Sequence, residues 1–163
     1  AELLAYRVQM ATYGPALTDP QRSEMIRSQS DFLRTFQDDP ETCAAVASQG
    51  GAALSAAQLS APNAIFNQSM TTMMELLIEA RTTAQEGTTM PRAASEDDYA
   101  ALVESMIENG TSENELQVLF SENSADPAYC TATLDFMDAV ADLPGPAGAA
   151  VRFEITQSLL TAQ

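Results

Sequence analysis

Apolar residues recur every three to four positions along most of this chain, and the alternation typical of strands is nearly absent. This spacing indicates amphipathic α-helices. We therefore expect an all-α fold, a compact orthogonal or up-down bundle of six to eight helices. The predicted helices cover residues 2–13, 20–37, 40–59, 63–86, 96–109, 113–122, 127–142 and 147–161.

Residues that favour helix ends support these boundaries. A short polar side chain caps the first turn, and proline suits the first helical position. The predicted starts are Asp19-Pro20, Asp39-Pro40, Ala61-Pro62, Ser95-Glu96, Ser112 with Glu115, and Asp126-Pro127. The predicted stops are Gly14-Pro15, Gly87, Gly110 and the segment 143–146.

Two of these starts repeat one pattern, Asp-Pro-x-x-Cys-x-Ala, at residues 39–45 and 126–132. Each follows an apolar pair at the same distance. The repeat divides the chain into halves, 1–86 and 95–163, which indicates either an old duplication or two similar helix starts. We expect residues 1–163 to form a single helical domain, because this length is enough for one core.

The repeat contains both cysteines, Cys43 and Cys130, one turn inside their helices and on the apolar stripes. Both side chains are therefore predicted to point at the core. We expect a disulfide between them, which would contribute about 4–5 kcal/mol by closing a long loop. Two free buried thiols are the alternative, since cysteine is among the most buried residue types.

The charge is strongly acidic: 23 acidic residues against seven arginines give a formal net charge of −16, with no Lys and no His. Such a surface repels phosphate backbones, so we expect no nucleic acid partner. It serves either solubility, as in bacteria of saline habitats, or attraction of a basic partner. No apolar stretch is long enough for a membrane span.

The missing residue types exclude whole classes of chemistry. Without His there is no Ser-His-Asp triad and no His-ligated zinc site. Without Lys there is no Schiff base. Chemistry by carboxylate, Tyr, Arg and Cys side chains is what remains. We expect no cofactor and no bound metal, and we assign no catalytic residue.

Two pairs of glutamates, Glu75 with Glu79 and Glu104 with Glu108, have the four-residue spacing found in helical metal-dependent hydrolases. Both pairs are predicted to lie away from the apolar stripes of their helices. A pair that faces solvent is usually a hydrated surface. We therefore expect these pairs to be solvated and not metal-binding.

Three aspartates and three methionines are further candidates with a structural alternative. The aspartates form one acidic ribbon, suited to calcium or a basic partner, but a straight helix supplies too few oxygens for calcium. The methionines could bind Cu(I), but their spacing also describes a core stripe on 63–86, the expected central helix. These residues are Asp135, Asp138, Asp142, Met70, Met73 and Met74.

The C-terminal helix has apolar residues on two faces. Val151, Ile155 and Leu159 share one face, and Phe153 and Leu160 lie nearly opposite. A helix on a monomer surface needs only one apolar stripe. The second face is therefore covered by the same chain, or Phe153 and Leu160 dock a protein partner or a second copy.

These patterns favour a non-catalytic, soluble, acidic binding or scaffolding module. The alternative is a carboxylate-based enzyme, either metal-assisted or a glycoside hydrolase. The chain begins at Ala1 without a basic and apolar leader, so we expect a signal peptide to have been removed or left out. We expect a periplasmic or secreted bacterial protein, with the cytoplasm as the alternative.

Overall fold

The computed structural model describes residues 8–55, 58, 64–84 and 90–161. Across these residues the protein is all-α without strands, which confirms the predicted fold class. None of the helices described is long and apolar enough to cross a membrane. The helices are α1 (Asp19–Arg34), α2 (Pro40–Gln49), α3 (Ala64–Ala84), α4 (Glu96–Glu108), α5 (Glu113–Phe120), α6 (Ala128–Asp142) and α7 (Gly145–Thr161).

Shorter helical pieces complete the described chain. Residues 8–11 are helical, and two 3₁₀ turns follow at Gly14–Ala16 and Gly50–Ala53. Some predicted features lie outside the described residues and stay predictions. They are the helix ends within 1–7, 59–63 and 85–86, the start at Ala61-Pro62, and the stop at Gly87.

Capping side chains begin the helices as their chemistry predicts. Ser95 accepts a hydrogen bond from the Asp98 amide at 3.3 Å, and the Ser95 amide donates to Asp98 at 2.8 Å. Ser112 and Glu115 form the same reciprocal box on α5. These bonds satisfy amides that have no partner inside the helix. Both predicted starts are confirmed.

Helices α1 and α6 begin differently from the prediction. Thr18, and not Asp19, caps α1, because its hydroxyl accepts from the Gln21 amide while Gln21 returns a bond to the Thr18 amide. Asp19 then lies in the first turn, with its carboxylate available to another helix. Helix α6 begins at Ala128, whose amide donates to Asp126 Oδ1 at 2.9 Å.

Helix α2 ends at Gln49, ten residues before the predicted end. Gly50 has a φ of +63°, in the left-handed region that ordinary side chains avoid. The backbone leaves the α-helix at this glycine and continues as the 3₁₀ turn Gly50–Ala53. The apolar stripe alone overestimated the helix, because Leu54 is buried without being helical.

Helix α6 is the centre of the described fold. It packs against α1, α2, α4, α5 and α7, whereas α3 packs mainly on α1 and the turn at Gly14–Ala16. The prediction that residues 63–86 form the central helix is therefore wrong. Apolar residues alone did not reveal this, because α6 lies between neighbours on several sides while α3 covers one edge.

A buried arginine joins three helices at one point. Arg152 on α7 is 5% exposed, and its Nε and Nη2 donate to the two carboxylate oxygens of Asp19 on α1 at 2.8 and 2.7 Å. Its Nη1 donates to the carbonyl oxygens of Leu143 at 2.7 Å and Val140 at 3.1 Å. Arg152 thus neutralises one acid and caps the end of α6.

Gly148 permits this arrangement. A Cβ at this position would lie 1.7 Å from the Leu143 carbonyl oxygen, so any other residue would separate α7 from the end of α6. Helix α7 therefore begins with a close approach to the segment that Arg152 caps. Gly148 therefore serves the packing of helices within the chain.

The two cysteines lie where the repeat predicted. Cys43 on α2 and Cys130 on α6 are both buried, and their sulfur atoms are 1.99 Å apart, the distance of a disulfide bond. Their Cα atoms are 5.5 Å apart, within the range of natural disulfides. The inward orientation of both side chains is confirmed. The pair connects positions 87 residues apart.

The first prediction concerns this cysteine pair. Freshly purified protein that is denatured without reductant should show no free thiol by thiol titration. Reduction should lower the free energy of unfolding by about 4 kcal/mol, because the denatured chain loses a long closed loop. The Cys43→Ala/Cys130→Ala variant is the control, and reductant should leave its unfolding unchanged. Two thiols per chain before reduction would contradict the bridge.

The second prediction concerns Arg152. Arg152→Met should lower the free energy of unfolding in urea by about 3 kcal/mol, because it leaves the Asp19 carboxylate and the helix-end carbonyls without their donor. Arg27→Met is the matched control. Arg27 pairs with Asp142 at the surface, where loss of an ion pair costs about 1 kcal/mol or less. Equal losses in the two variants would contradict the joining role of Arg152.

Candidate functional site

An apolar groove runs along the outer face of α4 and ends at the last residue of α5. Its volume is about 730 Å³, and it is open to solvent along its length. Apolar and aromatic side chains form its floor, and glutamates stand at its edges. The lining residues are Glu96, Tyr99, Ala100, Val103, Glu104, Ile107, Glu108 and Phe120.

Helix α4 forms this groove because its apolar arc is wider than its contact with the core. Leu102 and Met106 are each 1% exposed and belong to the main hydrophobic cluster. Their neighbours along the chain, Val103 and Ile107, turn toward the groove, and Ile107 is 55% exposed. A helix buried on one side needs only the first of these stripes. In the second stripe Val103 is only partly covered and Ile107 is mostly exposed.

Phe120 lines the groove from the side of α5. It is the last residue of α5 and is 61% exposed, although Val118 two positions before it is buried. Phe120 and Ile107 are, together with Met90, the most exposed large apolar side chains described, and Phe120 and Ile107 line the same groove. Single exposed apolar residues are ordinary on protein surfaces, but adjacent ones in a groove are typical of binding sites.

The edge of the groove is acidic. Glu96, Glu104 and Glu108 are exposed, and none of them forms an ion pair with any residue that the structure describes. The nearest arginine in sequence, Arg92, is bound by Asp98 instead, with Nη2 donating to Oδ1 at 2.8 Å. These hydrogen bonds from Arg92 and the Ser95 amide hold the pKa of Asp98 well below its usual range.

Tyr99 connects the groove to α7. Its hydroxyl donates to Glu154 Oε2 at 2.8 Å, and the Ala94 amide donates to Glu154 Oε1 at 2.9 Å. Burial, together with this hydrogen bond to Glu154, raises the pKa of Tyr99 to about 12. The phenol is neutral at physiological pH, and its hydrogen bond to Glu154 holds the Tyr99 ring in place beside the groove.

The paired glutamates lie on the surface, as predicted. Glu75 and Glu79 on α3 are exposed, and Glu79 accepts a hydrogen bond from Gln21 at 2.9 Å. Glu104 and Glu108 are exposed as well, but they border the groove. Across the described residues, no group of three or more His, Cys, Asp or Glu side chains is arranged to hold a metal ion.

The aspartate ribbon on α6 is not simply hydrated. Asp138 accepts hydrogen bonds from Arg34 and Ser30 on α1, both at 2.6 Å, and Asp142 pairs with Arg27. Their basic partner is therefore helix α1 of the same chain. These two aspartates have this structural role because α1 packs against that side of α6.

Asp135 occupies a different environment. It accepts a hydrogen bond from the Thr111 hydroxyl at 3.0 Å. Burial raises its pKa, and the charges of Glu115 and Asp138 add to this effect while the Thr111 hydrogen bond opposes it. Asp135 does not line the groove on α4. The environment of Asp135 therefore favours its protonated form.

The methionine stripe packs as core residues do. Met73 and Met74 contact the smaller hydrophobic cluster of α1, α3 and the N-terminal segment, and Met70 is half-buried. Met is a common gap filler in such positions. Nothing in these contacts points to a copper site.

Phe153 and Leu160 both contact the same chain. The Arg22 guanidinium lies 5.0 Å from the centre of the Phe153 ring, and Leu160 packs against the smaller hydrophobic cluster. Both side chains are half-buried. These contacts are those expected of an internal helix. A docking role for the two residues stays a prediction.

The groove was missed by the sequence interpretation. Its only signal was that α4 carries apolar residues at Tyr99, Leu102, Val103, Met106 and Ile107, more than one stripe requires. The pattern could not show which of these residues the core covers. That choice depends on where α6 and α7 contact α4.

Comparison with known proteins gives no match, whether to a protein-family model, a curated protein or a solved structure. The geometry of the groove is therefore the basis of the functional assignment.

Proposed function

We propose that this protein is a non-catalytic binding module and that the groove on α4 and α5 is its protein-binding surface. The observation that carries the proposal is that Ile107 and Phe120 are each more than half exposed and line the same groove. Covering these side chains removes apolar surface from water, which is the main driving force of protein association. Aromatic and branched side chains in a groove are typical centres of such interfaces.

Fixed geometry supports the same function. Tyr99 is hydrogen-bonded to Glu154 on α7, and Ser95 caps the first turn of α4. A partner would therefore meet a surface that is formed before binding, which lowers the entropic cost of association. The glutamates at the edge would add selectivity for charge without lying in the apolar centre.

A carboxylate-based enzyme is the second candidate, and Asp135 is the observation in its favour. An acid catalyst needs an environment that raises its pKa and a cleft that admits a substrate. Asp135 meets the first condition, but its carboxylate is engaged by Thr111. The glutamates of the groove are exposed and lie along one helix. The groove offers apolar contact and not a convergent catalytic set.

We also propose that the protein works in the periplasm or outside the cell. The cysteine pair at bonding distance supports this, because disulfides persist in oxidising compartments. A cytoplasmic location is the alternative, in which the two thiols would be kept reduced. The acidic composition suits either compartment.

The third prediction separates the groove from the rest of the surface. Immobilised wild-type protein, Ile107→Gln and Ile78→Gln are exposed to extract from the source cells. Ile78 on α3 is 50% exposed and is the matched control. Proteins retained by the wild type should also be retained by Ile78→Gln. Ile107→Gln should retain them about tenfold less, because loss of a central apolar contact costs more than 1 kcal/mol.

Circular dichroism and thermal unfolding must show that both variants are folded. Equal retention by all three proteins, or no selective retention by the wild type, would contradict a binding function for the groove.

A further inference from the structure

The spacing of the groove residues matches a helix. Tyr99, Val103 and Ile107 follow one another at intervals of four residues along α4. Consecutive members therefore lie about 6 Å apart along the helix axis. Helix α4 has 13 residues, which corresponds to a length of about 20 Å. Amphipathic helices bind such grooves through apolar side chains at intervals of three and four residues. The α4 residues that line the groove run from Glu96 to Glu108, a distance of about 18 Å, which about three helical turns would cover.

The charges around the groove restrict the partner further. Residues 93–151 contain no basic side chain, and Arg92 at the start of this segment is already bound by Asp98. Glu96, Glu104 and Glu108 at the edge of the groove therefore form no ion pair with a basic residue of this segment. Lys and Arg on the flanks of a bound helix would meet these carboxylates at the rim, where they favour rapid and selective association.

The same charges argue against other occupants. A second copy of this chain carries a formal charge of −16 and would bring its own carboxylates to the interface. Like charges placed opposite each other disfavour association. An anionic membrane surface would be repelled for the same reason. A basic protein segment is the occupant that satisfies both the apolar floor and the acidic edge.

We propose that the groove binds a basic amphipathic helix of a partner protein. The helix is about three turns long, with large apolar side chains on one face and Lys or Arg on its flanks. Its apolar face lies between Ile107 and Phe120, and its basic residues lie near Glu104 and Glu108. This inference rests on the proposed binding function, and it names the chemistry of the partner.

The test uses three synthetic 14-residue peptides and fluorescence anisotropy. The first has Leu on one helical face and Lys on the other. The second has the same composition in an order without a continuous apolar face. The third replaces every Lys with Glu. The Leu-Lys amphipathic peptide should bind the wild-type protein at least tenfold more tightly than either of the others.

Matched variants locate the binding. Ile107→Gln should weaken binding of the Leu-Lys peptide at least tenfold, and Ile78→Gln should leave it within about twofold. Glu104→Gln/Glu108→Gln should weaken binding and reduce its dependence on salt. Glu75→Gln/Glu79→Gln removes the same charge at the same spacing on α3 and should change affinity less than about threefold.

The outcomes are distinguishable. Equal binding of the scrambled Leu-Lys peptide, or equal effects of the two double variants, would overturn the basic-helix inference. Tighter binding of the Leu-Glu peptide would overturn it as well. If no peptide binds while retention of extract proteins still depends on Ile107, the partner chemistry is wrong and the binding function stands. If neither depends on Ile107, both proposals fail.

Discussion

The buried guanidinium of Arg152 joins three helices of the described fold. Arg152 is almost without solvent contact, so its charge must be matched inside the protein. Asp19 and the carbonyl groups at the end of α6 provide that match, and in doing so they fix α7 against α1 and α6. The alternative for Arg152 is a charge buried without partners, which would cost several kcal/mol.

The groove depends on this constraint through one further contact. Glu154 lies two residues after Arg152 on α7, where it accepts hydrogen bonds from Tyr99 and from the Ala94 amide. The position of α7 therefore sets the position of the first turn of α4. The core side of α4 is filled by Leu102 and Met106, and Val103 and Ile107 line the groove. The groove is thus a consequence of how the core is assembled.

The distribution of arginines strengthens the acidity of this surface. Arg27, Arg34, Arg92 and Arg152 each pair with an aspartate of the same chain. None of these arginines lines the groove, and the glutamates there form no ion pair in the described chain. On this face the surplus of acids lies beside exposed apolar side chains. It combines with exposed apolar side chains into one surface of defined chemistry.

Local rules predicted much of the fold. Helix starts at Ser95 and Ser112 followed from reciprocal capping, and the inward orientation of Cys43 and Cys130 followed from their stripes. The errors arose where distant contacts decide. The apolar stripe predicted a helix that continues past Gly50, whereas the helix ends before this glycine. The central helix is α6 and not the predicted helix 63–86. Such choices depend on packing between helices, which periodicity within one helix does not contain.

The groove was beyond prediction for the same reason. Val103 and Ile107 are one residue away from Leu102 and Met106, and their hydropathy is similar. Only the placement of the neighbouring helices makes one pair core and the other surface. Phe120 likewise ends a short helix whose preceding residues are partly buried. A sequence pattern shows that α4 has excess apolar residues, but it does not show where they point.

Isoleucine methyl NMR tests most directly the claim that this face is the binding surface. The chain has isoleucines at 26, 65, 78, 107 and 155, so labelled δ1-methyl groups report on separate regions. On titration with the Leu-Lys amphipathic peptide, the Ile107 signal should shift strongly and saturably, while the Ile26 and Ile78 signals stay in place. A dominant shift at Ile78, or equal small shifts at all positions, would contradict the claim.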